Sequence, residues 1–407
     1  MLKEKNGNTI YLLFFDASMF LYIFFSVLGY TELSAGAGMA QIFIQVLIIG
    51  IWIWNVNIYD YLFLWPLVVA VGIIPLIMIL LGVYSFFTAQ NLEYIIFFIF
   101  NLMFICCIVD RFKNNIQRLI ELWFWTLNIV LGMLMFLYRG ISLNLSFLLQ
   151  AMISNQRYGN NIIQRYGMGF KNVNTMALFA VILIVCSIYL FFKRKYRAFT
   201  ILDVVFGIVL IINAESRAPL LVLFGVMVLF FIRNIKGEKT RRIFSTLYLV
   251  IVISFTVLFV VLLFCKNSGN YLYTLVDEIS SYRLSFGTQA IEFVRSHGST
   301  LFGVGPLSSS YITNNIFNMA LTLDNSIEYY LFTLGWIGLF IVYTFLAWCL
   351  YKIMSVNRLD NRFAICIFDF YFLYSIFENT IFIPKSLLSL FCLTVILIYV
   401  LKSNKTI

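Results

Sequence analysis

Charge is what this chain has least of. Only 11% of its 407 residues are Asp, Glu, Lys or Arg, against about 25% in an average soluble domain. The other side of that deficit is 62% hydrophobic residues and a mean hydropathy of +0.95. A solvated surface cannot be assembled from so few charges, so the composition specifies an integral membrane protein. Histidine is nearly missing. The single His297 has no partners for a histidine metal site or a catalytic triad, and it reads as an exposed loop residue. Seven cysteines (Cys106, Cys107, Cys186, Cys265, Cys349, Cys366 and Cys392) show neither metal-ligand nor disulfide-framework spacing. All but Cys265 fall in apolar stretches and read as small apolar side chains. There is no Asp-x-Asp pair to hold a metal–nucleotide sugar, and no P-loop. "GVGPLS" (303–308) starts like a dinucleotide fingerprint but lacks the strand and helix that fingerprint requires. No internal repeat is visible, which weighs against an inverted-repeat transporter. No metal or cofactor is expected.

What is present is long apolar runs. Aromatic residues make up 18% of the chain, which suits lipid-facing helices with Tyr and Trp at the interfaces. A bilayer core of about 30 Å needs about 20 helical residues. On that rule the sequence predicts twelve spans, near 10–29, 39–56, 61–84, 92–109, 119–138, 174–192, 198–213, 218–232, 243–264, 327–350, 363–382 and 386–401. The first follows a basic start and is too long for a signal-peptide core of about 7–15 residues, so it is expected to stay. Spans seven and eight come from one run of about 35 residues, which would be about 52 Å long as a single helix. "NAESRAP" (213–219) supplies the turn that divides it, with Pro219 tolerated in the first turn of the second helix. The expected architecture is one polytopic all-α domain over residues 1–407.

The +10 formal net charge would suggest nucleic acid in a soluble protein. Here the positive-inside bias accounts for it first, and no nucleic-acid partner is expected. "KRKYR" (193–197) and "RNIKGEKTRR" (233–242) flank the paired spans and mark the cytoplasm. Alternation then places "DRFKNNIQR" (110–118), "YKIMSVNRLDNR" (351–362) and both termini on the same side. Two long segments fall outside, 139–173 and 265–326. Loops of that length are functional or disordered; both carry aromatic and apolar residues, so folded caps are expected. "ISLNLSFLLQAMI" (141–153) resembles an interfacial amphipathic segment.

The basic residues left outside run against the insertion bias, so each needs a reason. Arg217 and Glu215 sit at the "NAESRAP" turn, either as a mutual ion pair or as a site. Arg283 opens the helical run "RLSFGTQAIEFV", and Asp324 precedes span ten, where it suits an N-cap. "RYGMGFKNVN" (165–174) carries Arg165 and Lys171, with Gly167 and Gly169 allowing an irregular backbone. Asp203 and Glu93 lie near span ends and read as hydrated. Asp16 and Asp369 are the intramembrane acids a transporter would use.

Taken in order, "YGMGFKNVNTMALFAVIL" (166–183), "NAESRAPLLVL" (213–223), Arg283 followed by "FGTQAIEFV", "LFGVGP" (301–306) and "DNSIEYYLFTLGWIGL" (324–339) resemble the O-antigen polymerase (Wzy-type) and O-antigen ligase superfamily. The resemblance covers about residues 160–350. Two departures stand out. Family members often carry proline where this chain has Val173, and ligases carry a catalytic histidine where it has Asp324. His297 does not align with that histidine. The second departure looks more like the polymerase branch.

The resemblance implies a GT-C-like membrane glycosyltransferase, multi-pass in the bacterial inner (cytoplasmic) membrane, working on its outer face. The donor would be an undecaprenyl pyrophosphate-linked oligosaccharide, transferred with inversion onto another lipid-linked unit without a metal. A chain-length regulator and a flippase would be its functional partners, and membrane lipid its surroundings. Arg217 and Arg283 would clamp the pyrophosphate, since guanidinium forks bind phosphate bidentately. Asp324 would act as base or acceptor-orienting group, with Glu215 the alternative. Arg165, Lys171, Asn172, Asn174 and Arg139 would contact phosphate or glycan. Competing readings are a ligase, a flippase or transporter of lipid-linked sugar, and an inert scaffold. A transporter should place its charges near the midplane, whereas the distinctive ones here fall at outer ends.

Overall fold

The computed structural model of this chain describes residues 2–84, 87–144, 146, 165–264, 271–279, 283–318, 323–356 and 361–404. Regular structure among them is helical: α1 (Leu2–Gly29), α2 (Ala37–Trp52), α3 (Ile58–Leu80), α4 (Thr88–Phe112), α5 (Ile116–Tyr138), α6 (Val173–Phe192), α7 (Arg197–Asn213), α8 (Arg217–Asn234), α9 (Glu238–Phe264), α10 (Tyr271–Ile279), α11 (Arg283–His297), α12 (Ser326–Thr333), α13 (Gly335–Ser355), α14 (Asn361–Phe377) and α15 (Leu387–Asn404). Each predicted span coincides with helix. Nine helices among the described residues are long and apolar enough to cross a membrane, namely α1 to α6, α8, α9 and α13. At 17 residues each, α7 and α14 are shorter, and so is the apolar stretch of α15.

Three predicted spans differ in detail; the eleventh, expected over 363–382, ends at Phe377. The third stops at Leu80 instead of residue 84, closed by Gly82 at φ 74°. Inside it Pro75 has no N–H to return to Val71, and the backbone widens into a π turn over Val69–Ile73. The tenth is not one helix but two, α12 and α13, broken at Leu334–Gly335. Of "ISLNLSFLLQAMI", residues 145 and 147–153 lie outside the described residues; 141–144 are not helical. The segment 265–326, expected outside, is folded over much of its described length, containing α10, α11 and a turn at Ser309–Ile316.

The chain divides into two compact units. Unit 1 is Met1–Val56 with Cys106–Phe224, and unit 2 is Asn57–Ile105 with Gly225–Ile407. In unit 1, α6 is the central helix, packed on α5 and α7. Gly207 makes the close approach to α7 possible, since a Cβ there would lie 2.6 Å from Ile184 Cγ1. At the basic end, Asp16 accepts from Arg111 at 2.8 Å and Arg118 at 3.0 Å, and Glu121 accepts from Lys195 at 2.6 Å. This hydrogen bond, the largest cause, raises the Lys195 ammonium above its ordinary range. Asp16 is therefore a tie between α1, α4 and α5, not an isolated intramembrane acid.

Unit 2 is organised around the break between α12 and α13. A helix end leaves its last carbonyls and first N–H groups without intrahelical partners, and an apolar interior makes that costly. The "LFGVGP" segment meets both needs. The N–H groups of Val304 and Gly305 donate to the carbonyls of Phe332 (3.0 Å) and Thr333 (2.9 Å) of α12. The carbonyls of Thr300 and Leu301 accept from Trp336 (3.2 Å) and Ile337 (3.1 Å) of α13. Such proximity admits only glycine at two places. Gly303 (φ 73°) would put a Cβ 2.5 Å from the Thr333 carbonyl, and Gly335 (φ 64°) would press one into Leu301.

Gly303→Ala and Gly335→Ala are each expected to lower the melting temperature of the detergent-purified chain, by more than about 1 kcal/mol in stability. Gly29→Ala, where a Cβ meets nothing within 4 Å, serves as control and should change it little.

Candidate functional site

The sequence-predicted residues fall into two groups. Glu215, Arg217, Arg165, Lys171, Asn172, Asn174 and Arg139 belong to unit 1, and Arg283 and Asp324 to unit 2.

In unit 1, "NAESRAP" is a tight turn, as its composition suggests. α7 ends at Asn213 and α8 begins at Arg217, with Pro219 buried in its first turn. Glu215 stands between them, fully buried and at φ 47°. Three pieces of backbone fasten the turn. The Asn213 side chain accepts from the Ser142 N–H (2.6 Å) and donates to the Ser142 (3.1 Å) and Val209 (2.9 Å) carbonyls. The Tyr166 N–H donates to the Asn213 carbonyl at 3.1 Å. Arg165 donates through Nε to the Ala214 carbonyl (2.8 Å) and through Nη2 to Asn174 Oδ1 (2.7 Å).

The "RYGMGFKNVN" segment is itself anchored. Its Gly169 carbonyl accepts from Glu32, and the Lys171 N–H donates to Tyr30. Met168 (φ 45°) and Gly169 (φ 75°) are consecutive left-handed residues, and a Cβ on Gly169 would meet the Tyr138 ring. Asn172 caps α6 by accepting from the Asn174 N–H at 2.9 Å. Lys171 donates to Ser34 Oγ at 2.7 Å, and Arg139 is an exposed left-handed residue closing α5.

In unit 2, Arg283 begins α11, and Asp277 of α10 caps that helix by accepting from the Ser285 N–H (3.0 Å) and its hydroxyl. Arg283 Nη2 lies 3.8 Å from Glu378 Oε1. A residue that sequence reasoning missed completes the group. Glu328, in the middle of α12, is buried, and neither of its oxygens has a hydrogen-bond partner among the described residues. Its carboxyl sits against the first turn of α11, where a Cβ on Gly287 would come within 2.7 Å of Glu328 Oε1. Gly287 lies one turn after Arg283, so the two share a helix face. The available signal was therefore glycine four residues after arginine, together with a lone acid in "SIEYYLF".

Asp324 was expected to cap the following helix; the cap is Asn325 instead. Its Oδ1 accepts from the Ile327 N–H (2.7 Å) while its Nδ2 donates to the Ile376 carbonyl (2.8 Å). Asparagine does both jobs because its amide holds an acceptor and a donor. All eight residues of α12 are buried. Tyr330 reaches the Ile381 carbonyl and Tyr329 the Leu307 carbonyl, each at 2.6 Å. The same end of unit 2 thus gathers Arg283 with Asp277, Asp324, Glu328 and Glu378. Among the described residues no group of acids, His and Cys is arranged to hold a metal ion.

The remaining acids sort differently from their sequence reading in one case. Asp203 is buried, not hydrated, and accepts from Asn128 at 3.2 Å across α5 and α7. Glu93 is exposed. Asp369 accepts from Tyr248 at 2.6 Å. His297 ends α11, exposed and stacked on Phe293, and no disulfide joins any two of the six described cysteines.

Fold and site together describe a multi-pass, all-helical membrane protein with a buried arginine–carboxylate cluster beyond its apolar spans. No protein-family model matches the chain, and no curated protein matches it.

Glu328 lies outside α13, the span that follows it, and burial pushes its carboxyl well above the 4.5 of a free glutamate. Arg283 pulls it down, while Asp324 and Asp277 push it further up. A group whose folded value is raised contributes its stability below the unfolded value and loses it as pH rises. Glu328→Gln should therefore melt higher than the parent near neutral pH, with the difference shrinking as pH falls to 4.5. Melting curves across that range decide it; a pH-independent difference would count against a desolvated carboxyl.

Proposed function

We propose that this chain is a polysaccharide polymerase of the bacterial cytoplasmic membrane, with twelve crossings and both termini inside. It joins lipid-linked oligosaccharide repeat units at the outer face. The observation that carries the reading is the cluster at Arg283. A largely buried guanidinium opens a helix outside the apolar spans, at the end of unit 2 away from its Lys/Arg-rich loops, with Glu378 at 3.8 Å and the Glu328 carboxyl close by.

The chemistry this inventory suits is displacement at an anomeric carbon. The acceptor hydroxyl attacks the first sugar of the donor, the bond from that carbon to pyrophosphate breaks, and configuration inverts. Pyrophosphate is a good leaving group, so it needs fixed positive charge more than a strong acid. The proposal assigns that charge to Arg217 of unit 1 and Arg283 of unit 2; fixed charge in a partly dry site contributes several kcal/mol to a transition state. A carboxylate takes the hydroxyl proton. We assign that role to Asp324, which is half-buried, whereas the complete burial of Glu215 suits a positioning role at the turn that carries Arg217.

One observation favours a second reading. The buried Asp369–Tyr248 pair lies within membrane-spanning helices, where a cation-coupled transporter of lipid-linked sugar would place an acid. Purified protein supplied with lipid-linked repeat units, without nucleotide or divalent metal, separates the two. Longer chains are the expected product, and Arg217→Lys and Arg283→Lys should each reduce their formation at least tenfold, the loss of one charge-assisted contact. Retained activity in both variants would sink the clamp, and transbilayer movement without longer chains would establish the transporter.

A further inference from the structure

A cavity of about 460 Å³ opens at the basic end of unit 2, between α8, α9, α13 and α14. Pockets for small ligands run from about 300 to 1,000 Å³, so this one is of binding size. It exists because α9 is seated at one end only. Phe259, Leu262 and Leu263 in its last turns pack into a buried cluster with Leu284 and Ile327, while Leu247, Val250 and Ile251 nearer its start are exposed. Tyr248 closes the cavity on the inner side. Its hydroxyl donates to Asp369 and lies against Gly225 of α8, where a Cβ would come within 3.2 Å.

The walls are almost entirely aliphatic and aromatic, with Leu249, Val252, Leu346, Leu350 and Phe372 among them. A lipid tail can cover such walls, and a polar ligand would be stranded there. The mouth is different. Arg233, in the last turn of α8, lines it and donates to Asn361 at 3.2 Å, while Arg362 reciprocates by donating to Asn234 at 2.6 Å. Two guanidiniums are thus fixed at one boundary through neutral amides. The following connection adds Lys236 and the first turn of α9 adds Lys239, both exposed, while Arg241 is buried and donates to the Ile235 carbonyl at 3.2 Å. Just inside, Ser245 Oγ is buried with no hydrogen-bond partner among the described residues, and Ser245 lines the cavity.

We propose that this cavity binds one anionic glycerophospholipid from the leaflet at the basic end. Its phosphate sits at Arg233, Ser245 donates to the ester region and one acyl chain fills the cavity. Apolar volume, basic mouth and an unused hydroxyl at their junction follow the order of groups along such a lipid. The site is independent of glycosyl transfer and lies at the other end of unit 2 from Arg283.

The test uses the full chain in nanodiscs holding phosphatidylglycerol, phosphatidylethanolamine and polyprenyl phosphate, followed by delipidating detergent and native mass spectrometry. One retained phosphatidylglycerol per chain is expected. Ala347→Trp, which fills the cavity from α13, should lose it at an unchanged melting temperature; Leu350→Trp is read in the same way if that variant does not fold. Arg233→Gln should keep a bound lipid but lose the preference for the anionic one by about fivefold, the weight of about one basic residue near an anionic leaflet. No retained lipid in the parent, equal retention in the filled variants, or selective retention of the polyprenyl phosphate each overturns the proposal.

Discussion

The peptide groups at the break between α12 and α13 are the constraint on which unit 2 depends. As one helix, the 30 or so residues of the pair would extend about 45 Å, well beyond a bilayer core of about 30 Å. Breaking the helix lets α13 cross alone but leaves carbonyls and N–H groups that a buried, apolar surrounding cannot solvate. Residues 300–305 answer with N–H groups for one helix end and carbonyls for the other. With both ends satisfied, α12 can be a short helix buried on every side. That is what allows Asn325 to fasten α14 and Glu328 to face α11. The glycines of "LFGVGP" thus have a mechanical role, in a loop whose sequence superficially suggests phosphate binding.

Charge inside the two units is handled by two different means. At the basic end of unit 1, carboxylates are matched, with Asp16 between two arginines and Glu121 bonded to Lys195. Such pairs tie helices together, and removing one member strands the other. At the Arg283 end of unit 2 the arrangement among the described residues is lopsided, with several acids gathered near Arg283 and Glu328 buried without a hydrogen bond to any of them. An apolar residue of that size would pack there with less penalty than a desolvated carboxyl.

Most of the helical layout was legible in the chain, because hydropathy, span length and Lys/Arg placement all derive from the one requirement to cross a bilayer. The "NAESRAP" turn was legible for the same reason. What sequence reasoning missed required contacts far apart in sequence. Asp324 and Asn325 are both good caps, and only the carbonyl of Ile376 decides for the amide. Asp203 looked hydrated from its distance to a span end, yet Asn128 on another helix covers it. Glu328 reads as an ordinary helical acid until Gly287, dozens of residues earlier, is seen to leave room for it.

Charge stabilisation in a transition state works only if the charge is fixed in advance. The structure bears on this for both arginines of the proposed reaction. Arg283 is held by a helix whose first turn is capped by Asp277 and flanked by Glu378. Arg217 follows a turn whose backbone is bonded by Asn213, Arg165 and the Tyr166 N–H. Arg165 and Asn174 were read from the sequence as groups that contact phosphate or glycan. In the folded chain Arg165 bonds Asn174 and the Ala214 carbonyl, so it also helps to fix the turn that carries Arg217. The polar residues around a membrane-surface arginine need not touch the ligand to matter, because a guanidinium on a loose turn would lose in reorganisation what it gains in attraction.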